Sequence, residues 1–555
     1  MMNVQVNQVG YRPNDFKTAT FRIEDTNSVS DSVNLEKNID ADFRVIDVIN
    51  NEVVYEGKMT KEVKSESCGE INKVADFTRV KKPGKYVVES NSCGRSYEFE
   101  IREDIYNDIL KSSMKMFYLQ RCGCSLKEQY AGKYAHKTCH NTKARIYGTD
   151  EFIDVSGAWH DAGDYGRYVV AAAKSVVDLM MAYEMYPQVM EASFDIEESG
   201  NGIPDILDEV KYELDWMLKM QDKKTGGVYH KVTCKSFPGF VMPEFETEEL
   251  IVCPISDAAT CDFIAAMAYA YRVYSSLSEK YGNKAMEYGE AANMYMEAAN
   301  RAVAYLEKIS AGPFTNPKDI VTGEYGDERT IDEYFWAYAE MYKTTGDKKY
   351  EEKLKSMNLD DVPGELGWKE VGDYGFYAYI TAPYTKDEEL YGKVFKRFEN
   401  ETEEKLEKYM KDPYRGTLYD YYYWGCNMEI ANNAMRGILL DKIKGTSRYE
   451  SMAQAQLHYL LGNNPNAKCF VTGFGKDSPK NPHHRPSAAV KSAMPGMLVG
   501  GPEPLLLDDV AKAKLSGKPA AKCYIDELDS YSTNEITIYW NSPLVFLLAH
   551  MNAER

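Results

Sequence analysis

At 555 residues the chain exceeds one ordinary domain, and two domains with a sizeable core are the expected organisation. Hydrophobic residues make up 44% and charged residues 27%, an ordinary globular balance, and no apolar run approaches the roughly 18 residues of a membrane span. Acidic residues outnumber basic ones, 86 against 66, so the net charge of −20 speaks against nucleic-acid or anionic-membrane partners and favours neutral ligands or cations.

The opening residues, MMNVQVNQVGYRPNDF, carry neither a basic n-region nor an apolar h-region. A cytoplasmic protein is the expectation, the alternative being a secreted one whose leader has been removed. Eleven cysteines, an odd number scattered over a long chain, read as reduced thiols and metal ligands more readily than as a disulfide framework.

Residues 1–103 read as strands. Val4 to Val9 and Phe43 to Val48 alternate, while Lys85 to Glu89 and Tyr97 to Ile101 are short and β-rich. Turn signals at Asn50-Asn51, Pro83-Gly84 and Cys93-Gly94 separate them, a spacing that suggests an immunoglobulin-like β-sandwich. From residue 104 to 555 the period changes to that of helices. In residues 205–221, Ile206, Val210, Leu214, Met217 and Leu218 form one apolar stripe. Similar patterns occur near 107–120, 167–186, 257–279, 284–308, 331–344, 387–411, 426–444, 447–461 and 536–552, with shorter ones near 347–357 and 372–382. Such a set fits a ring of helical hairpins, an (α/α)6 barrel. The absence of a fixed repeat of about 30–45 residues tells against a solenoid.

Three clusters lie outside the helical stripes. Trp159 to Arg167 (WHDAGDYGR) carries Asp161 and Asp164 just before an apolar helix, where amide dipoles favour ionised carboxylates; the plain alternative is Asp164 as a helix N-cap. Glu535 follows Tyr524-x-Asp526 and Tyr531 to Asn534. It is expected in a first helical turn, either solvated or partly desolvated by aromatic neighbours and so held protonated. Asn481 to Ser487 (NPHHRPS) sits in a Gly/Pro-rich loop from Gly473 to Pro504, where a surface turn and a ligand contact are equally expected.

Taken together the clusters resemble glycoside hydrolase family 9, the cellulase family once grouped as type E. NQVGYRP and KPGKYVV look like the immunoglobulin-like domain that precedes many members. FYLQRCG, WHDAGDYGRYVV, ESGNGIPDILDE, YLLGNNP, VTGFG, NPHHRPS and YSTNEITIYWNSP follow in the family's order. Asp477 departs from the pattern, since members usually carry Asn, Lys or Arg after the VTGFG turn. The resemblance implies an inverting hydrolase of β-1,4-glucosidic bonds in cello-oligosaccharides or soluble β-glucan. In it Asp164 is the base that activates water, Asp161 helps place that water, and Glu535 is the acid. His483 and Arg485 contact the sugar beside the scissile bond. Inversion asks for acid and base carboxyls separated by roughly 6.5–9.5 Å. Trp424, with Tyr421 to Tyr423, reads as a stacking platform or as core.

Rival readings keep the scaffold and change the activity, to an exo-acting β-glucosidase or glucosaminidase, or to a non-catalytic carbohydrate-binding protein. No organic cofactor is expected. Cys122, Cys139, His140 and His160 suit a closed structural zinc site, with Cys124 as the rival to Cys122; buried thiols and a capping histidine are the plain alternative. Sandwich-bearing members of the family commonly bind such a zinc. A hydrolase that used this zinc for catalysis would need an open coordination position. Asp332 and Glu333, crowded with Asp327 and Glu328, suggest calcium, as in relatives with a similar Asp-Glu pair; a solvated helix start explains them equally well.

Overall fold

The computed structural model describes residues 3–25 and 41–553. It falls into two compact units. One comprises Met1–Ser112, Thr402–His483 and Ser492–Ile536; the other comprises Ser113–Glu401, His484–Lys491 and Thr537–Arg555.

The first unit begins with two sheets. One orders the strands Val4–Gln5, Thr18–Asp25, Glu70–Asp76 and Val63–Ser65. The other orders Gly10–Tyr11, Phe99–Ile101, Gly84–Ser90, Asp42–Asp47 and Glu52–Lys58, with Gly94–Arg95 paired to Gly84–Ser90. Alternate residues turn inward, so Val4, Phe21, Phe43, Val45, Tyr86, Val88 and Phe99 make a shared core. Tyr11 stands edge-on to Phe77 and Phe99, at 5.4 and 5.2 Å between ring centroids.

The same unit holds the helices Cys426–Lys444 and Glu450–Leu460, packed on each other. Polar groups of the sandwich clamp the loops that follow them. The Gln8 backbone N–H bonds the Leu461 carbonyl at 2.9 Å, and Gln8 Oε1 accepts the N–H groups of Lys476 and Asp477 at 3.0 and 2.8 Å. Asp477 thus serves by its backbone, while its side chain pairs with Lys468 at 2.9 Å. Glu70 is fully buried against Arg22, Lys522 and the Tyr414 hydroxyl. A carboxylate without water needs such partners.

The second unit is helical. Ser256 caps the helix Asp257–Ser275 by accepting from the Ala259 N–H at 3.1 Å. That helix packs on Met286–Leu306, Ile331–Thr345 and Val169–Met185, and the last of these also packs on Ile538–Asn552. Val169–Met185 is buried almost all round, as its Ala/Val composition dictates. Its two buried charged side chains answer each other: Lys174 Nζ lies 2.6 Å from Asp178, which also accepts from Tyr374 and Ser542 at 2.6 and 2.7 Å. A small sheet orders Phe152–Ile153, Ala144–Ile146, Ile251–Val252, Lys231–Thr233 and Arg167–Tyr168. No helix among the described residues is long and apolar enough to cross a membrane.

Candidate active site and metal cluster

The turn Trp159–Arg167 belongs to the second unit, and its backbone is held on every side. The Trp159 N–H donates to Glu213 at 2.6 Å, and its indole N–H donates to Glu209 at 2.7 Å. Glu209 and Glu198 also grip Arg121, so the ESGNGIPDILDE segment acts as a scaffold for this turn. Gln120 Nε2 donates to the carbonyls of His160 and Ala162, both at 3.1 Å. The Asp161 N–H bonds the Gly166 carbonyl at 3.0 Å, and the Asp161 carbonyl accepts from the Ile538 N–H at 2.8 Å. Arg485 donates to the Gly163 carbonyl through its backbone N–H at 3.0 Å and its guanidinium at 2.9 Å.

Asp164 is not the helix N-cap, nor does it stand at a helix entrance. The short strand Arg167–Tyr168, paired with Lys231–Thr233, intervenes, and the helix begins at Val169 with Tyr168 in the cap position. Both aspartates are buried. Burial pushes the Asp161 carboxyl well up, with the Tyr325 hydroxyl opposing and Asp164 adding to the rise. Burial also raises Asp164, opposed by the charge of Arg485 and the Gly166 N–H. Tyr325 donates to Asp161 Oδ2 at 2.5 Å from a backbone at φ 52°, while Asp161 Oδ1 is buried with no hydrogen-bond partner among the described residues. Tyr325 escaped the sequence reading because it comes from a loop with no spacing relation to the turn.

Glu535, His483 and Trp424 belong to the first unit. Glu535 does not sit in a first helical turn. It is half-buried in extended backbone between the short helix Tyr531–Asn534 and the helix Ile538–Asn552, which Thr537 caps. Its extended form follows from pairing with His483, whose N–H bonds the Asn534 carbonyl at 2.9 Å, and from the Gly500 N–H on the Glu535 carbonyl at 2.9 Å. The second and third sequence clusters therefore meet. Asp526 ties them together: it accepts the N–H groups of Lys480 and Asn481 at 2.8 and 2.9 Å and the Asn534 amide at 3.2 Å. This role was missed although Asp526 stands in the quoted motif. His483 Nδ1 lies 2.6 Å from the Leu528 carbonyl. Trp424 is 39% exposed, so it is no core residue, and its ring lies 5.4 Å from that of Tyr531.

Cys122, Cys139, His140 and His160 are all buried, with one ligand atom each inside a 4.8 Å cluster. Cys122 Sγ is 3.5 Å from His140 Nδ1, Cys139 Sγ is 3.8 Å from His160 Nε2, and the two imidazole nitrogens are 3.4 Å apart. A tetrahedral ion with bonds of roughly 2.0–2.3 Å has ligand edges of about 3.3–3.8 Å, so the donor set fits. His140 adopts φ 44°, a backbone strain that aims its ring, and its Nε2 meets Glu246 at 2.9 Å, which orients the ligand. Cys124, half-buried beside Tyr212, stands outside the cluster.

Asp332 and Glu333 open the helix Ile331–Thr345 but are buried, which rules out the solvated helix start. Glu328 is exposed, whereas Asp327 and Asp262 are buried. Burial drives the Asp262 and Glu333 carboxyls well up, and charge from the neighbouring acids adds to it. Neither oxygen of Asp262 or of Glu333 has a hydrogen-bond partner among the described residues. Unsatisfied buried carboxylates of this kind suit an oxygen-liganded cation. Asp262 carried no signal in the sequence, being one acid inside an apolar helix.

The profile of glycosyl hydrolase family 9 matches residues 106–548, and that of the cellulase N-terminal ig-like domain matches residues 1–95. A cellodextrinase of Butyrivibrio fibrisolvens is 36% identical over 577 residues, covering 99% of both chains. A thermostable endoglucanase of Alicyclobacillus acidocaldarius has a solved structure with TM-score 0.89 and 35% identity, covering 100% of each chain. A Zn-binding triple mutant of the family 9 endoglucanase J30 has TM-score 0.88 and 31% identity, covering 98% of this chain and 100% of that one. The architecture is accordingly an immunoglobulin-like sandwich followed by an (α/α)6 barrel.

Proposed function

The chain belongs to glycosyl hydrolase family 9 and is a glycoside hydrolase, and from that premise we propose that it cleaves β-1,4-glucosidic bonds in cello-oligosaccharides or soluble β-glucan with inversion at the anomeric carbon. Asp164 takes the proton of the attacking water, Asp161 orients that water, and Glu535 gives a proton to the departing glycosidic oxygen. His483 and Arg485 hold the sugar beside the scissile bond, and Trp424 offers an aromatic face to a further ring. The similarity over 99% of both chains to a protein named cellodextrinase supports the reading that short oligosaccharides are the substrates.

The observation that carries this reading is the Asp161–Asp164 turn. A merely structural acidic turn has its carboxylate oxygens satisfied by protein, yet here the backbone is pinned throughout while Asp161 Oδ1 is left for a non-protein partner. The base must be ionised to work, and burial raises Asp164. Activity therefore falls as pH drops through that raised value, earlier than for an ordinary surface aspartate.

Zinc is the proposed occupant of Cys122, Cys139, His140 and His160. With all four positions filled by protein it would pin the turn that carries Asp161 and supply no open site for chemistry, which disfavours a zinc-dependent hydrolase. Asp332 and Glu333, with Asp262 and Asp327, are the proposed oxygen ligands of calcium. A binding protein on a retired scaffold would have lost an acid or base, whereas Asp161, Asp164 and Glu535 are all present.

The test follows cellotetraose hydrolysis by proton NMR, reading the anomer as it appears. The α-anomer at early times is expected; initial release of the β-anomer refutes inversion. Glu535→Gln and Asp164→Asn are expected to abolish nearly all turnover while substrate binding persists, and a near-normal rate in either removes that residue's role.

A further inference from the structure

Lys231 is fully buried, on a strand of the small sheet that lies between Arg167–Tyr168 and Ile251–Val252. Its ammonium donates to the Gly323 carbonyl at 2.5 Å and to the Thr322 hydroxyl oxygen at 3.2 Å. Both acceptors are neutral. Lys174, the other buried lysine of this unit among the described residues, faces a carboxylate instead, Asp178 at 2.6 Å. Taking an ammonium out of water for two neutral acceptors is costly, and packing alone does not call for it.

What the ammonium holds is the loop that leads to Tyr325. The Thr233 hydroxyl donates to the same Thr322 oxygen at 3.0 Å, and Asn316 Nδ2 bonds the Thr322 carbonyl at 2.8 Å. At Gly323 an added Cβ would come within 3.1 Å of the Tyr168 hydroxyl, so the loop lies close on that ring. Lys231 Nζ stands 5.5 Å from the Tyr168 ring centroid, and the Tyr168 ring lies 4.4 Å from that of Tyr325. The wall beside the lysine is fixed as well: His230 stacks on Phe314 at 3.8 Å, and its Nδ1 meets the Ser256 hydroxyl at 2.8 Å. Tyr325 itself takes φ 52°, a left-handed backbone that a tyrosine keeps only where its surroundings impose it. The grip on Gly323 comes two residues before that point.

We propose that Lys231 is a positioning residue for hydrolysis: by holding Thr322 and Gly323 it sets the backbone of Tyr325 and so aims that hydroxyl at Asp161. This rests on the reading in which Asp161 orients the attacking water. An ammonium carries three donors on a flexible stem, so it serves two acceptors in different directions at once. A methionine of similar length serves neither. Because a misplacement of about 1 Å can cost on the order of 10²-fold in rate, the loss belongs in kcat and not in KM.

The experiment measures kcat and KM on cellotetraose for the wild-type enzyme, Lys231→Met, Thr233→Val and Tyr325→Phe, and for each of the first two changes combined with Tyr325→Phe. Lys231→Met is expected to lower kcat about 10- to 100-fold, with KM within about twofold. In the Tyr325→Phe background the same change is expected to cost less than about threefold, since the hydroxyl it aims is already gone. Thr233→Val keeps the side-chain shape and is expected to lower kcat about two- to tenfold, with the same dependence on Tyr325. Losses that multiply across the positions would mean that Lys231 supports the fold without acting through Tyr325, and would overturn the proposal. So would an unchanged kcat or a loss confined to KM. Where Lys231→Met does not fold, a wild-type kcat in Thr233→Val overturns it. A Tyr325→Phe variant with wild-type kcat removes the Tyr325–Asp161 reading and the proposal with it. A wild-type enzyme inert on cellotetraose removes the glucanase reading on which both stand, and that control alone tells the two failures apart.

Discussion

Replacing Tyr325 by Phe removes a single hydroxyl and leaves a ring of nearly the same volume, still flanked by Tyr168, Trp368 and Tyr539. That hydroxyl donates to Asp161 Oδ2 at 2.5 Å, and Asp161 Oδ1 has no protein partner among the described residues. The variant thus deprives a buried carboxylate of its side-chain donor. A hydrogen bond to a charged group is worth roughly 1.5–3 kcal/mol, and about 1.4 kcal/mol is a tenfold change in rate. If the proposed role of Asp161 holds, kcat falls about 10- to 150-fold while KM changes little. The sign of the pH effect follows from the same bond. The hydroxyl opposes the rise that burial imposes on Asp161, so its loss raises that carboxyl further and moves the acid limb of the kcat profile to higher pH. Steady-state kinetics on cellotetraose across pH measures both. An unchanged kcat with an unmoved acid limb would show that Asp161 takes no part in placing water, and the account of the turn would fall.

Elemental analysis of the purified protein is expected to find about one zinc per chain, and His140→Ala to lose most of it with a lower melting temperature; a metal-free protein of unchanged stability refutes the zinc assignment. Asp526→Ala strips the Lys480 and Asn481 N–H groups of their acceptor, so kcat on cellotetraose is expected to fall about tenfold or more. A wild-type rate would show that this clamp does not set the Glu535 segment. Glu70→Ala leaves Arg22 buried without its carboxylate, while Lys522 keeps only Asp25, and urea unfolding is expected to show a loss of about 3–5 kcal/mol. A loss within about 0.5 kcal/mol, as for ordinary surface substitutions, would mean that the pair is solvated.

Helix boundaries were largely legible because their signal is local. The stripe of Ile206, Val210 and Leu214 marks the helix Asp205–Lys219, and the burial of those residues follows from their spacing. Where a residue's conformation depends on a partner far along the chain, local reasoning failed. Asp164 read as a cap because an apolar helix follows it, but Arg167–Tyr168 is drawn into a strand by Lys231–Thr233, more than sixty residues on. Glu535 read as the start of a helix, but His483 holds it extended. The cysteine–histidine set was found because soft ligands are scarce and conspicuous. Asp262 was not found, since a single acid in an apolar helix has no pattern until its neighbours surround it.

By itself the order of residues determined the succession of strands and then helices, the family, and which side chains have the chemistry to act, because periodicity and residue type are properties of short stretches. Which groups are deprived of water was decided only when distant segments packed together. Tyr325 reached Asp161, Arg485 reached Gly163, and four soft ligands closed on one point. Burial and hydrogen-bond partnership, unlike residue type, belong to the packed chain.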